Sequence, residues 1–215
     1  MRFNDKDNLS LKAYDQIKNL ILNGDLKQGQ AISINLMADQ LGISRTPVTN
    51  ACQKLEYEKL LTILPKQGVI INTISIEDAC GIYELRAAIE SYNAKRVMDI
   101  LTNEDIQFLK ESVKKQTALA KAGNSRGFME EDHAFHKYIL EKSIHNELLD
   151  VIRQLYDRAY ILGIKNSLSD RLSASVQEHN RIIEALEQKD RQAFADAIEE
   201  NILNGFRSLT AKYLK

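Results

Sequence analysis

Apolar residues in the first third of the chain recur every three or four positions, which is the spacing of an amphipathic helix. Three such stretches follow one another, and Gly24, Gly29 and Gly42 separate them. Two β-rich runs then flank residues 65–68, which are typical of a hairpin turn. This pattern predicts a winged helix-turn-helix. The apolar positions of the three predicted helices are Leu9, Ala13, Ile17, Leu20 and Ile21; Leu36, Met37 and Leu41; and Val48, Ala51, Cys52 and Leu55.

The remainder of the chain has the pattern of a helical body. Both prolines, Pro47 and Pro65, lie in the first third, and none follows them. Because proline breaks helix interiors, a long proline-free stretch favours helices. We therefore predict an antiparallel all-helical bundle and a mainly α fold for the whole chain. The predicted bundle helices span residues 76–100, 103–122, 125–142, 145–164, 169–188 and 190–213.

A domain boundary is expected near residues 73–76, because residues 72–75 have the composition of a short linker and Ser75 and Asp78 have the spacing of a helix start. Residues 1–75 carry nine Lys and Arg against seven Asp and Glu, a net charge of +2. Residues 76–215 carry twenty against twenty-three, a net charge of −3. The total of −1 excludes a uniformly basic nucleic-acid coat protein but is compatible with a basic face on one domain.

Composition and cysteine content narrow the class of protein further. Over 215 residues, 44% hydrophobic and 27% charged residues are ordinary globular values and exclude bulk disorder. Apolar runs are short and the N-terminus has no apolar core segment, so we expect neither a membrane span nor a secretory signal. Cys52 and Cys80 provide no disulfide framework and no zinc-knuckle spacing, so a reducing, cytoplasmic setting is expected.

The run LGISRTPV at residues 41–48 is the most specific motif in the chain. Ser44 is a suitable N-cap for the third helix, and Pro47 falls in its first turn, where proline is tolerated. The backbone N–H groups, the hydroxyls of Ser44 and Thr46 and the guanidinium of Arg45 suit phosphate contacts and a bidentate pair with guanine. We expect this helix to lie in the major groove of DNA, with Arg45 reading a base. The alternative interpretation is a capped surface turn with a solvated Arg45.

Together with the run ILNGDLKQG and the turn PKQG, this motif resembles the winged-helix domain of the GntR family of bacterial transcription regulators, over about residues 10–72. The resemblance implies binding to a double-stranded, pseudo-palindromic DNA operator. Two positions at which arginines commonly contact DNA hold Asn35 and Thr49 here, a departure that bears on operator sequence and affinity. The expected DNA-contacting residues are Asn35, Ser44, Arg45, Thr46, Pro47, Thr49, Asn50, Lys54, Lys66, Gln67 and Gly68.

Three further motifs read ELRAAIE at residues 84–90, DHAFH at residues 132–136 and EHNRIIEALEQKD at residues 178–190. They resemble the FCD ligand-binding domain of the FadR subfamily within the GntR family, and six helices are similar to its VanR-type branch. In that family an Asp and three His commonly hold a divalent metal, which implies Zn, Ni or Mn here. The implied ligands are Asp132, His136, His179 and, at the position of the fourth His, Asn201.

Two interpretations of this metal site stay open, because an amide oxygen is a weaker ligand than imidazole for Zn or Ni. In the first, two imidazoles and one carboxylate hold a metal and water completes its coordination. In the second, the pocket is polar and metal-free, and Asp132 orients His136 by a hydrogen bond.

The same resemblance implies a small organic-acid effector inside the bundle, contacting Arg86, Glu90 and Asn146. A fixed guanidinium binds a carboxylate bidentately, which suits Arg86 to this role. The alternative interpretation of Arg86 and Glu90 is a solvated surface pair. His133 and His145 match no motif position and are expected at the surface or at helix caps. The aromatic residues expected in the core or the pocket lining are Tyr83, Phe128, Tyr138, Tyr156 and Tyr160.

We therefore expect a homodimeric transcription regulator, not an enzyme, whose operator affinity responds to the effector. An alternative from another class is a two-His-one-carboxylate metalloenzyme of the non-haem iron type. The sequence has no nucleophile elbow, P-loop or dinucleotide fingerprint to support other enzyme classes. A metal-free regulator with a different ligand is the third hypothesis.

Overall fold

The computed structural model describes residues 5–142, 146–166 and 169–211, and its backbone contacts divide the chain into two units, Met1–Ile74 and Ser75–Lys215. The described residues are mostly helical, and a small sheet lies in the first unit, so the predicted mainly α fold is confirmed. None of the helices within these ranges is long and apolar enough to cross a membrane.

The first unit is a winged helix-turn-helix, as predicted. Its third helix packs against the first two, and the described strands form an antiparallel sheet in which the last strand lies between the other two. Ala13, Ile17, Val48 and Leu55 are fully buried at the centre. The elements are α1 (Asp5–Asn23), β1 (Ala31–Ile32), α2 (Ile34–Leu41), α3 (Arg45–Tyr57), β2 (Leu61–Leu64) and β3 (Gly68–Ile71).

Two details of this unit differ from the prediction. Strand β1 was not predicted, because two residues that pair with Val69 and Ile70 of β3 are too short to show an alternating pattern. Leu36 was assigned to the buried face of α2 but is 49% exposed. Its backbone N–H donates to the side chain of the N-cap Ser33, and the helix that starts there buries Ile34 instead.

The second unit is an all-helical bundle. Its described helices are α4 (Ile76–Val97), α5 (Asn103–Lys121), α6 (Ser125–Glu141), α7 (Asn146–Asn166), α8 (Ser169–Glu187) and α9 (Arg191–Thr210). Helix α4 packs along α9 and α7, α8 packs against α9 and α5, and α6 packs against α5, α7 and α4. Ser75 and Asp78 form a reciprocal capping box at the start of α4, as their spacing predicts. The predicted helix limits at residues 145 and 213 lie outside the described residues.

Candidate functional site

A groove in the first unit lies between the amino ends of α2 and α3 and the β2–β3 turn, with a volume of about 260 Å³. It collects side chains from three segments that are separate in the sequence. Six of the predicted DNA-contacting residues line it: Asn35, Arg45, Thr49, Lys66, Gln67 and Gly68. The helix-turn-helix and the wing therefore present one continuous surface.

The amino end of α3 is open for contact with a ligand. Ser44 occupies the N-cap position, as predicted, but its hydroxyl makes no capping hydrogen bond. Arg45 and Thr46 are exposed beside it. The hydroxyl of Thr49 is turned back along the helix and donates to the carbonyl oxygen of Arg45 at 3.0 Å. Since the N–H groups of a first helical turn have no partner within the helix, this end can bind a phosphate.

Pro47, which we expect among the DNA-contacting residues, is buried in the first turn of α3, where proline is tolerated. Asn50 is exposed, and its Nδ2 lies 3.4 Å from Ser10 Oγ on α1.

Lys54, which we expect to contact phosphate, lies against α1. Its ammonium is 3.8 Å from the ring centre of Tyr14, which is a cation–π contact. The Tyr14 hydroxyl donates to Glu58 Oε1 at 2.7 Å, and burial raises the pKa of Tyr14 to about 12. Lys54 is therefore held on a different side of α3 from the groove.

A substitution at Gly68 tests the close packing of β3 against β1 at the base of the wing. Its φ is +120°, and a Cβ there would lie 2.3 Å from the carbonyl oxygen of Ile32 on β1. Gly68→Ala is expected to lower the free energy of unfolding of this unit by roughly 1–3 kcal/mol, measured with urea. Gly24→Ala is the matched control, since Gly24 has φ +79° and a Cβ there would meet nothing within 4 Å. Equal losses in both variants would show that the closeness of Gly68 to β1 adds nothing to the cost of a side chain at a positive φ.

A cavity of about 50 Å³ lies inside the second unit, lined by residues of α4, α6, α7, α8 and α9. This volume holds a few water molecules and is far below the roughly 300 Å³ at which drug-sized ligand sites begin. Only a small ligand fits without displacement of side chains. The polar residues that line it are Arg86, Asp132, His136, Arg171, Ser175 and Asn201.

Three of the predicted metal ligands lie close together, and two of them, Asp132 and His136, line this cavity. Asp132 and His136 lie one turn apart on α6, and His179 comes from α8. One ligand atom from each lies within 4.8 Å of the other two. The two Nε2 atoms of the imidazoles are 3.3 Å apart, and Asp132 Oδ1 is 3.5 Å from His179 Nε2.

Both imidazoles are held through their other ring nitrogen. Glu90 Oε2 lies 2.8 Å from His136 Nδ1, and Gln116 Oε1 lies 2.6 Å from His179 Nδ1. Because these oxygens only accept, each Nδ1 carries a proton, and in the neutral form of each ring Nε2 presents a lone pair. Burial lowers the pKa of His179 to about 3, so its ring is neutral near pH 7.

Asn201 on α9 adds a fourth acceptor to the same cluster. Its Nδ2 donates to Glu178 Oε2 at 2.7 Å, which directs its Oδ1 to a point 3.0 Å from His136 Nε2. When the His136 ring is neutral with its proton on Nδ1, this oxygen and this nitrogen are both acceptors. Four acceptor atoms then face one another, and they repel unless a cation or a further proton lies among them.

Arg86 and Glu90 form a buried ion pair on α4, so the interpretation as a solvated surface pair is wrong. They are 5% and 3% exposed, and Arg86 Nε lies 2.9 Å from Glu90 Oε1. Burial raises the pKa of Glu90, but the charge of Arg86 and the hydrogen bonds from Arg86 and His136 outweigh it and bring this pKa to about 2. The guanidinium carbon of Arg86 also lies 4.9 Å from the ring centre of Tyr156.

The prediction that His133 lies at the surface is wrong. Its ring centre is 5.1 Å from that of Tyr156 and 5.4 Å from that of Tyr160, because it is on the side of α6 that packs against α7. Its Nε2 is buried, and burial lowers the pKa of the ring to about 3. Asn146 is the first residue of α7, but its side chain lies outside the described residues, as does His145.

Three residues that build the site were not predicted. Arg171 lines the cavity and donates to both carboxylate oxygens of Glu178, at 2.9 and 2.8 Å. Glu178 does have a sequence signal, since it precedes His179 in the motif. Gln116 has none, because its partner lies 63 positions away on another helix.

These two units define a class of protein: a winged helix-turn-helix with an all-helical bundle is an architecture of bacterial transcription regulators. Residues 9–71 match the bacterial regulatory proteins of the gntR family, and residues 81–204 match the FCD domain. The chain belongs to the GntR family, in the group that carries an FCD domain, and is a DNA-binding transcription regulator. The resemblance drawn from the sequence is thus confirmed.

Several proteins that are similar to this chain are also named as transcription regulators. The chain is 26% identical to the uncharacterized HTH-type transcriptional regulator YdhC of Bacillus subtilis (strain 168), over 85% of this chain and 83% of that protein. It is 20% identical to the gluconate operon transcriptional repressor of the same organism, over 86% and 79%. The solved structure of E. coli McbR/YncC shares the fold with a TM-score of 0.83 at 22% identity, over 95% and 98% of the two chains.

Proposed function

We propose that this regulator binds a small organic acid together with a divalent metal in the cavity of its second unit, and that this ligand changes its affinity for a pseudo-palindromic DNA operator. One observation carries the proposal. Arg86, which can bind a carboxylate, lines the same small cavity as the metal-ligating atoms of Asp132, His136 and Asn201.

The acceptor cluster suits a divalent ion of the first transition series. It offers two imidazole nitrogens and two oxygens, a set that Zn, Ni and Mn accept. The Nδ1 partners Glu90 and Gln116 orient both rings in the way that outer-shell groups do in metal sites. When bound, such an ion supplies a positive charge that can hold and polarise a carboxylate.

The charges around the cavity favour an acid as the effector. Arg86 and Arg171 contribute two positive charges, and Glu90, Asp132 and Glu178 contribute three negative charges. With neutral imidazoles the net charge of these five residues is −1, and a bound divalent ion changes the net charge of the site to +1. The metal-free site therefore repels an anion, whereas the metal-loaded site attracts one. The relative named for a gluconate operon is consistent with this class, since gluconate is a hydroxycarboxylate.

Operator recognition belongs to the groove of the first unit. Arg45 is assigned to a base, and the amino end of α3 with Ser44 and Thr46 is assigned to phosphate. Lys66 and Gln67 at the tip of the wing are assigned to the neighbouring minor groove.

A two-fold homodimer would place the α3 helix and wing of each copy on one of the two half-sites of the operator. Helix α4 offers an apolar face for it, because Leu85 and Tyr92 lie two turns apart on one side and are 52% and 53% exposed. A second copy of the chain would remove this face from water.

Small carboxylic acids are expected to raise the melting temperature of the metal-loaded protein and to leave the chelator-treated protein unchanged, because only the loaded cavity attracts an anion. Differential scanning fluorimetry with a panel of mono-, hydroxy- and dicarboxylates measures this. Sorbitol beside gluconate is a matched control for the carboxylate. By linkage, an acid that stabilises the protein and prefers one DNA-binding state must also shift operator affinity in a titration. Equal stabilisation with and without chelator would contradict a role of the metal in effector binding.

A further inference from the structure

Asn201 stands where the family resemblance implies a histidine, and its neighbours on α8 and α9 give it the connections of that histidine. We propose that Glu178 holds Asn201 as an oxygen ligand, and that this oxygen shifts the preference of the site from Zn and Ni toward Mn. The inference rests on the metal site proposed above and concerns the residue at which this chain departs from the family.

The two ends of the Asn201 amide reproduce the two ends of a metal-bound imidazole. A ligating histidine usually binds metal with one nitrogen and donates its other N–H to a carboxylate. Asn201 donates Nδ2–H to Glu178 Oε2 at 2.7 Å and directs Oδ1 to the position 3.0 Å from His136 Nε2. The shorter side chain therefore completes the same connection, with oxygen in place of nitrogen on the metal side.

The orientation of this amide is determined by Glu178. A flipped amide would bring Oδ1 to about the same distance from a carboxylate oxygen, where two acceptors repel. The carboxylate accepts only N–H groups: two from Arg171, one from Asn201 and one from Asn204, whose Nδ2 lies 3.0 Å from Oε1. Arg171 also donates to the backbone carbonyl oxygen of Asn201 at 3.3 Å, which ties the same segment of α9 to α8.

The exchange of a nitrogen for an oxygen changes which metals are favoured. With Asn201 the cluster has two nitrogens and two oxygens, whereas a histidine there would make three nitrogens and one oxygen. Imidazole favours Zn and Ni, and carbonyl and carboxylate oxygens favour Mn. Zn can still bind more tightly than Mn in absolute terms, so the quantity that Asn201 sets is the ratio of the two affinities.

Titration of the full-length, metal-stripped protein with Mn and with Zn alone tests the assignment. Free Mn is followed by its paramagnetic resonance signal, and Zn by competition with a chromophoric chelator. Asn201→His is expected to raise the Zn-to-Mn affinity ratio about tenfold or more, and Asn201→Leu to weaken Mn binding about 10–100-fold. Asn180→Ala is the matched control and should leave the ratio unchanged, since Asn180 is an exposed asparagine of α8 whose Nδ2 donates to the backbone carbonyl oxygen of Val176.

A double-mutant cycle tests the positioning role of Glu178. Glu178→Leu removes the acceptor that orients Asn201, so it should weaken Mn binding in the otherwise wild-type protein and have little further effect in Asn201→Leu, where the residue it orients is gone. A Glu178 that only supported the fold would weaken Mn binding by the same factor in both backgrounds. Melting of the metal-free variants, followed by circular dichroism, separates loss of binding from loss of folding.

The outcomes separate this inference from the metal site itself. Wild-type Mn affinity in Asn201→Leu, or an unchanged ratio in Asn201→His, would overturn the role of Asn201 while the metal site stands. If Asn201→His binds metal and the wild-type protein does not, Asn201 prevents metal binding. This outcome would overturn the inference but support the roles of Asp132, His136 and His179 as ligands. No binding by either protein would overturn the metal site and, with it, the inference.

Discussion

Arg45→Ala is expected to abolish specific operator binding and to leave both units folded. Arg45 is exposed at the amino end of α3 and lines the groove that also contains the wing. A bidentate arginine–guanine pair is worth about 1–3 kcal/mol, so two copies on two half-sites give about 2–6 kcal/mol, or roughly thirtyfold to more than ten-thousandfold in affinity. Fluorescence anisotropy on an operator selected from random duplexes by the wild-type protein measures the loss.

Two further variants identify how Arg45 acts. Arg45→Lys keeps the charge but loses the planar fork, so it should lose operator specificity and retain non-specific, salt-dependent binding. Arg181→Ala removes an exposed arginine of the second unit and should bind like the wild type. If Arg45→Ala binds the operator normally, α3 is not the base-reading helix. If Arg45→Lys binds as well as the wild type, Arg45 contacts phosphate instead of a base.

The fold was largely predictable because its signals are local. Helical spacing, the absence of proline after Pro65 and cap residues such as Ser75 each act over a few positions, and they placed the helices correctly. Strand β1 was missed because its pairing with β3 is non-local and it contributes only two residues. The buried side of α2 carries Ile34, Met37 and Ala38 at the i, i+3 and i+4 positions of one helical face, and Leu36 lies off that face.

The candidate site was predictable only in part, because its ligands lie in motifs, whereas the contacts that orient them join residues far apart in the sequence. The spacing of Asp132 and His136 places both on one face of a helix, and the structure brings His179 to them. The proton positions on the rings depend on Glu90 and Gln116, which are 46 and 63 positions from their partners. No local pattern reveals such contacts, and His133 was misplaced for the same reason, since α7 covers its side of α6.

The wild-type protein is expected to hold about one divalent metal ion per chain, and Asp132→Ala is expected to lose it. Asp132 provides the only negative charge among the four acceptor atoms, so its removal leaves three neutral ligands for a dication. Elemental analysis of the purified, untagged protein measures the content. Chelation should also destabilise the wild type, by about 4 kcal/mol where the free metal stood at a thousand times its dissociation constant.

Glu199→Ala is the matched control, because Glu199 is an exposed carboxylate on α9, two residues from Asn201. It should retain the metal and the response to chelator, which would show that the loss in Asp132→Ala comes from the cluster and not from net charge. No metal in the wild type, even after metal is added back, would contradict the site. The cavity would then carry a net charge of −1, and an acid would have to be held against that charge by Arg86 and its polar neighbours alone.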